Sequence, residues 1–343
     1  LVYGGGNLAD VTGNTFVNIC AEKDGNDYVA VPVGTSGVTI GGNVFGGGKG
    51  EAAESGDDAF LCARAMIGIN NDGIDNPDGG TTIIIGNGTV NGNVYGGGMV
   101  GRVEKNTVVT IGLEGTTTSE PEIKGNVYGG GQGEKHHGYA GLVRGNPTVT
   151  IQGNAKVRKS VYGGGEIASV ARYKVAADET EAAAHGVEVG MPYVLANANS
   201  GKCTVTIKGD AEIGPETAMK MYHDVTDPND KPDDYGHVFG AGRGILPEVF
   251  TYVGDDKPYR IDNDGKKESY NNENDYFGFI RTLALSTETN VTIDGNAFVK
   301  GSVYGGSENG LVQFDTDVKI QGGQIGCGKN ATEPYGNDVW ANE

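Results

Sequence analysis

Short apolar runs, never long ones, pattern this chain. Val149-Thr150-Ile151 alternates so that Val and Ile share one face of an extended strand and Thr takes the other, and the same phrase returns at 38–40, 109–111, 205–207 and 291–293. Six positions after the Ile stands a lone apolar residue, as in Ile84 to Val90, Ile151 to Val157, Ile207 to Ile213 and Ile293 to Val299. Ten positions after it stands a Val followed by an aromatic residue: Ile84 to Val94, Ile151 to Val161, Ile293 to Val303. Between the runs lie Gly86-Asn87, Gly153-Asn154, Gly209-Asp210 and Gly295-Asn296, residue types that tolerate positive φ and turn a chain sharply. The pattern predicts an all-β chain: a parallel β-helix (β-solenoid) with three short strands per coil, in which stacked copies pair in parallel around a Val/Ile core.

The third strand carries the most repeated phrase, Val-aromatic-Gly-Gly-Gly. It begins at Val2, Val44, Val94, Val127, Val161, Val238 and Val303; two copies relax to Gly240-Ala241-Gly242 and Gly305-Gly306-Ser307, and Val339-Trp340 lacks the glycines. The residues after the glycines, Lys49, Met99, Gln132, Glu166 and Arg243, share no chemistry, and no helix follows, so the glycines serve the backbone and are not a phosphate cradle. Asn43, Asn93, Asn126, Ser160, His237 and Ser302 precede the Val and read as a hydrogen-bonding ladder. The aromatic column is Tyr3, Phe45, Tyr95, Tyr128, Tyr162, Phe239 and Tyr304. With Val inward its rings face out, where they either pack over neighbouring glycines or stack on a ligand.

Irregular spacing places insertions at 20–37 (a hairpin with Asp24-Gly25-Asn26 at its tip), 51–79, 166–200 (with a helical turn at Thr180–Ala184), 214–235 and 245–288. Residues 1–343 read as a single solenoid domain, and Leu1 falls inside a repeat, as expected of a piece of a longer protein.

Composition narrows the function classes. With 61 Gly but only 11 Pro among 343 residues, and no Gly at every third position, the chain is not collagen-like. A formal charge of −19 without a basic stripe argues against a nucleic-acid partner, and no apolar run is long enough for a transmembrane segment. Cys20, Cys62, Cys203 and Cys327 lie far apart, which leaves both disulfides and free thiols open.

Candidate chemistry is sparse. The loop from Asn70 to Asp78 offers Asp72, Asp75 and Asp78 around Gly73, hard oxygen donors of the kind Ca²⁺ takes, though without EF-hand order; Asp227–Asp234 and Asp262–Gly265 are weaker versions. His136-His137 alternate on an extended chain and so do not form a metal pair, and His185, His223 and His237 are isolated. The outward first-strand row, Thr39, Thr110, Thr150, Thr206, Thr292 and Lys319, is not a catalytic cluster; irregular coil lengths argue against an ice-binding plane.

The Val-Thr-Ile and Val-Tyr-Gly-Gly-Gly phrases, which run through most of the chain, resemble the repeats of large secreted or surface-displayed bacterial β-helix proteins, adhesin-like ones among them. The resemblance implies a non-enzymatic extracellular or cell-surface role, structural or adhesive, with insertion loops contacting glycans, proteins or sister chains. The alternative is a carbohydrate-active β-helix enzyme, a polysaccharide lyase or glycoside hydrolase, which needs paired carboxylates in one groove.

Overall fold

The computed structural model describes residues 1–25, 27–31, 37–51, 64–68, 78–114, 119–187, 189, 191–195, 199–217, 219, 233–246, 259–261, 267–269, 280 and 282–326. Their strands form three seven-stranded parallel sheets, in each of which the strands follow one another in chain order. The aromatic sheet stacks the two-residue strands Val2–Tyr3, Val44–Phe45, Val94–Tyr95, Val127–Tyr128, Val161–Tyr162, Val238–Phe239 and Val303–Tyr304, each in register with the next. The Thr-Ile sheet stacks Thr15–Ile19, Thr81–Ile85, Thr107–Ile111, Pro147–Ile151, Lys202–Ile207, Glu288–Ile293 and Thr316–Ile320. The middle sheet stacks Thr39–Ile40, Thr89–Val90, Glu122–Ile123, Lys156–Val157, Glu212–Ile213, Phe298–Val299 and Gln324–Ile325. Three parallel sheets wound by one chain make a parallel β-helix, as the repeat predicts.

The core follows from the strand period. Val149, Ile151, Val157 and Val161 of one coil are all buried and pack with their copies in the coils above and below. Each such side chain removed from water stabilises the fold by about 1.5–3 kcal/mol, offset in part by the entropy of ordering the coil. Gly-rich corners suffice because parallel pairing satisfies the backbone: Gly129 N–H donates to Tyr162 O at 2.9 Å and Gly130 N–H to Gly164 O at 3.0 Å.

Two details of register differ from the sequence expectation. The residue aligned with Ile111 and Ile151 is Ile85, not Ile84, because the Gly86-Asn87 corner is one residue shorter than the Gly153-Asn154 corner; Ile84 instead pairs with Thr110 on the outer face. Thr39 belongs to the middle sheet beside Thr89, so the outer row of the Thr-Ile sheet is Asn18, Ile84, Thr110, Thr150, Thr206, Thr292 and Lys319.

A fourth side of the coil was not expected. Val11, Ile67, Val103, Val143 and Val170 form successive parallel bridges, and Ser286 bridges to Val312. Ile67, Val103, Val143 and Val170 are buried together with Cys203. Residues 64–68, 167–171 and 283–287 therefore return to the coil, so the insertions are shorter than 51–79, 166–200 and 245–288.

The described insertions carry their own structure. Ala21–Asp24 and Asp27–Ala30 form the expected hairpin, turning at Gly25 with φ 63°. Tyr173–Val175 pairs antiparallel with Pro192–Val194, and between them runs helix α1, Glu179–His185. Asp178 caps α1 by accepting from Glu181 N–H, and Gly186 ends it in the left-handed region. Tyr259–Ile261 and Lys267–Ser269 form another antiparallel pair. Val339-Trp340 lies outside the described residues.

Candidate functional site

The aromatic column is the largest constellation of functional groups in the described chain. With Val turned into the core, strand alternation turns the next residue out, and the phrase sets seven rings one above another. Centroids of successive rings are 4.7–5.0 Å apart from Tyr3 to Tyr304, and interplanar angles stay between 5° and 13°. Coil spacing dictates this distance, since parallel strands lie about 4.8 Å apart. The rings point away from the Val/Ile core, yet Phe45, Tyr95, Tyr128, Tyr162 and Phe239 are buried as a second core of their own. Both faces of each of these five rings are taken by neighbouring rings, which leaves no face for a ligand. Tyr304, on the last described strand of the aromatic sheet, is 45% exposed.

The hydroxyls close the outer edge of the column by a regular rule. Each reaches the residue after the glycines two coils further on. Tyr3 Oη–H lies 3.5 Å from Met99 Sδ, Tyr95 Oη–H donates to Glu166 at 2.6 Å, and Tyr162 Oη–H donates to Glu308. Tyr128 lies beside Arg243 on the same offset. Arg243 lies between the two carboxylates, 3.5 Å from Glu166 and 3.7 Å from Glu308. The positions after the glycines thus share a place rather than a residue type: they meet the tyrosine edge. Gln132 falls opposite Phe45, where no hydroxyl asks for a partner. Burial, reinforced by the nearby carboxylates, pushes the Tyr95 and Tyr162 phenols well above their ordinary range, so they stay protonated and act as donors.

The polar column beside the rings is a second continuous relay. Asn43 Oδ1 accepts from Asn93 N–H at 2.9 Å, Asn93 Oδ1 from Asn126 N–H at 2.8 Å, and Asn126 Oδ1 from Ser160 N–H at 2.9 Å. Ser160 Oγ accepts from His237 N–H at 3.2 Å, and His237 Nδ1 from Ser302 N–H at 2.9 Å. His237 is therefore one step of a ladder, with its neutral form built in; burial lowers its pKa, against a smaller opposing pull from Glu308. Thr hydroxyls make a third relay inside the corner: Thr15, Thr81, Thr107 and Thr289 donate to the first-glycine carbonyls of Gly46, Gly96, Gly129 and Gly305 at 2.5–2.6 Å.

Chemically, this cluster links coils. A glycosidase pair must leave the scissile bond room between its carboxylates, and here Arg243 occupies the gap between Glu166 and Glu308. A separate ion ladder crosses the middle sheet, where Arg158 bridges Glu122 at 2.6 Å and Glu212 at 3.3 Å, and Lys300 meets Glu212 at 2.7 Å.

Of the proposed calcium loop, Asp72 and Asp75 lie outside the described residues, and Asp78 accepts from Asn14 Nδ2 at 3.2 Å. Among the described residues no group of three or more His, Cys, Asp or Glu side chains is gathered as metal ligands. Cys20 and Cys203 are free thiols, while Cys62 and Cys327 lie outside the described residues. His185 stacks on Tyr193 with centroids 3.9 Å apart. No helix among the described residues is long and apolar enough to cross a membrane.

No protein-family model, curated protein or solved structure matches the chain.

One signal for the fourth side was present but unused. Val11, Val103, Val170 and Val312 each stand nine positions after Val2, Val94, Val161 and Val303. The two-coil offset of the tyrosine edge left no such mark, because it joins residues far apart in sequence.

Proposed function

We propose that this chain is a non-enzymatic extracellular solenoid with a structural or adhesive role at the cell surface, acting through contact with glycans, proteins or sister chains. The observation that supports this most is the continuity of the scaffold. Seven coils stay in register through all three sheets while the insertions leave only at corners. Loops on a rigid frame are where contact residues concentrate. The one described cluster of carboxylates, phenols and guanidinium is occupied in joining coils, which favours the scaffold over the alternative of a polysaccharide lyase or glycoside hydrolase.

The two readings separate in one assay. The 343-residue chain is incubated with a polysaccharide panel and assayed for reducing ends and unsaturated sugars. The scaffold reading expects neither; product release that Glu166→Gln or Glu308→Gln abolishes without loss of fold would establish an enzyme instead. Calcium at residues 70–78 belongs to the same proposal: an ion that binds only the folded state raises its stability, so EDTA would lower the melting temperature. An unchanged melting temperature removes the ion.

A further inference from the structure

The outer face of the Thr-Ile sheet carries few charged side chains for so acidic a chain. Two side chains per strand point outward and are partly exposed over its middle coils, joined at the start of the two longest strands by a third, Lys202 and Glu288. In register they form two columns. One contains Thr148 and Thr204, and the other contains Thr110, Thr150, Thr206 and Thr292. From Phe16 and Asn18 on the first coil to Asn290 on the sixth, these columns hold no ionisable side chain. Charge flanks them where Lys202 pairs with Glu288 at 2.9 Å on the fifth and sixth coils, and enters them only on the seventh, where Asp317 pairs with Lys319 at 2.7 Å. On a chain of formal charge −19, this is a neutral strip.

Its hydroxyls are also unlike the other threonines. Thr15, Thr81, Thr107 and Thr289 face the corner and spend their hydroxyls on glycine carbonyls. The six outward threonines named above have no protein partner among the described residues. The strip is long and regular: about 4.8 Å between coils and about 7 Å between columns, hence roughly 24 Å over its six coils. At one end Phe16 is 63% exposed, an aromatic ring beside the Asn18 amide on the same face.

We propose that this face binds an extended, uncharged glycan laid along the solenoid axis. Regularly spaced hydroxyls and the Asn18 and Asn290 amides match the hydroxyls of a repeating neutral sugar chain, and the Phe16 ring offers an apolar platform for a sugar face. A polyanionic glycan gains nothing from a neutral strip and is repelled by the surrounding negative charge. The inference deepens the adhesive reading above and rests on it, but it moves the contact from the insertions to the sheet.

The test uses the whole chain with cellohexaose, chitohexaose and mannohexaose as neutral probes and a polyuronate hexamer as the charged one, read by calorimetry. Thr150→Val with Thr206→Val keeps β-branched side chains and the sheet, and removes two hydroxyls that hold nothing in the protein. Phe16→Ala removes the platform. The expected result is binding of at least one neutral probe, none of the polyuronate, and at least a tenfold weakening in each variant with an unchanged urea midpoint. Binding of a neutral probe that both variants leave intact overturns the face while keeping the adhesive reading. Preference for the polyuronate overturns the face as well. Absence of binding to all the probes also sinks the face; the adhesive reading falls with it only if the chain fails to adhere to cells and matrix proteins. Thermal hysteresis that the double variant abolishes, with no glycan bound, would make the face a lattice for ice instead.

Discussion

The first glycine of the repeated phrase makes the sharpest test of how the coils are held. Gly129 is not at positive φ, so its requirement is space rather than backbone conformation. A Cβ there would lie 2.2 Å from the carbonyl oxygen of Gly163 in the next coil and 2.9 Å from Pro147 Cβ. Moving the coils apart until the first contact reached about 3.0 Å takes roughly 0.8 Å, which would lengthen the 2.9 Å bond from Gly129 N–H to Tyr162 O beyond hydrogen-bonding range. Overpacking costs about 1–3 kcal/mol, and two weakened ladder bonds, at Gly129 and Gly130, add about 0.5–1.5 kcal/mol each. Gly129→Ala should therefore destabilise by about 2–6 kcal/mol. Gly305→Ala is the matched control on the last described strand of the aromatic sheet. There, among the described residues, the nearest atoms a Cβ would meet are side-chain atoms of Thr316 at 3.0 Å and Val318 at 3.1 Å. The lower entropy of the unfolded Ala chain offsets that contact, so the net change should stay within about 1 kcal/mol. Urea unfolding followed by circular dichroism measures the difference. Hydrogen exchange locates it, since a long repeat array need not unfold as one unit. Protection should be lost first around 127–131 and 161–165. Equal midpoints for the two variants would refute the close-approach account.

Other predictions address the edges of the aromatic column and the buried groups. Tyr162→Phe removes a donor to a partly exposed carboxylate and should cost about 1 kcal/mol in urea unfolding, with the ring stack intact; a loss above about 3 kcal/mol would mean the ring itself had moved. His237 has a lowered pKa in the folded state, so the unfolded chain binds the proton first. Stability should fall as pH drops below about 6.5, and His237→Asn, which keeps an acceptor for Ser302 N–H, should flatten that slope between pH 5 and 8; an unchanged slope would exclude His237 as its source. Burial pushes the Cys203 thiol up to about 12, so peptide mapping after alkylation at pH 8 should find Cys203 unmodified until the protein unfolds, whereas labelling of the native protein would show the corner to be open.

Much of the architecture is legible in the residues because solenoid strands repeat. Inward Val and Ile every second residue fix which face is buried, Gly-Asn and Gly-Asp mark corners, and the recurrence of both fixes the stacking direction. The middle-strand residues Val90, Val157, Ile213 and Val299 stack as the spacing predicts. The errors arose where spacing is locally ambiguous. Three consecutive isoleucines at 83–85 allow two registers, and only the shorter Gly86 corner decides that Ile85 faces the core. The candidate site was less legible. The sequence identifies an aromatic column and its outward direction, but cannot say that direct stacking of the rings consumes both faces of each inner one.

The sequence by itself determined a three-stranded parallel coil, the Val/Ile core and the polar ladder before each Val, because each depends on local period and turn chemistry. Tertiary structure decided what those columns do. Outward rings became a second buried core because stacking brings each within about 5 Å of the next. Met99, Glu166, Arg243 and Glu308 became one edge because the coil carries each into line with a tyrosine two turns away. The outer threonines acquired their distinction from the corner threonines in the same way: one set meets a glycine carbonyl at the corner, and the other has no protein partner among the described residues.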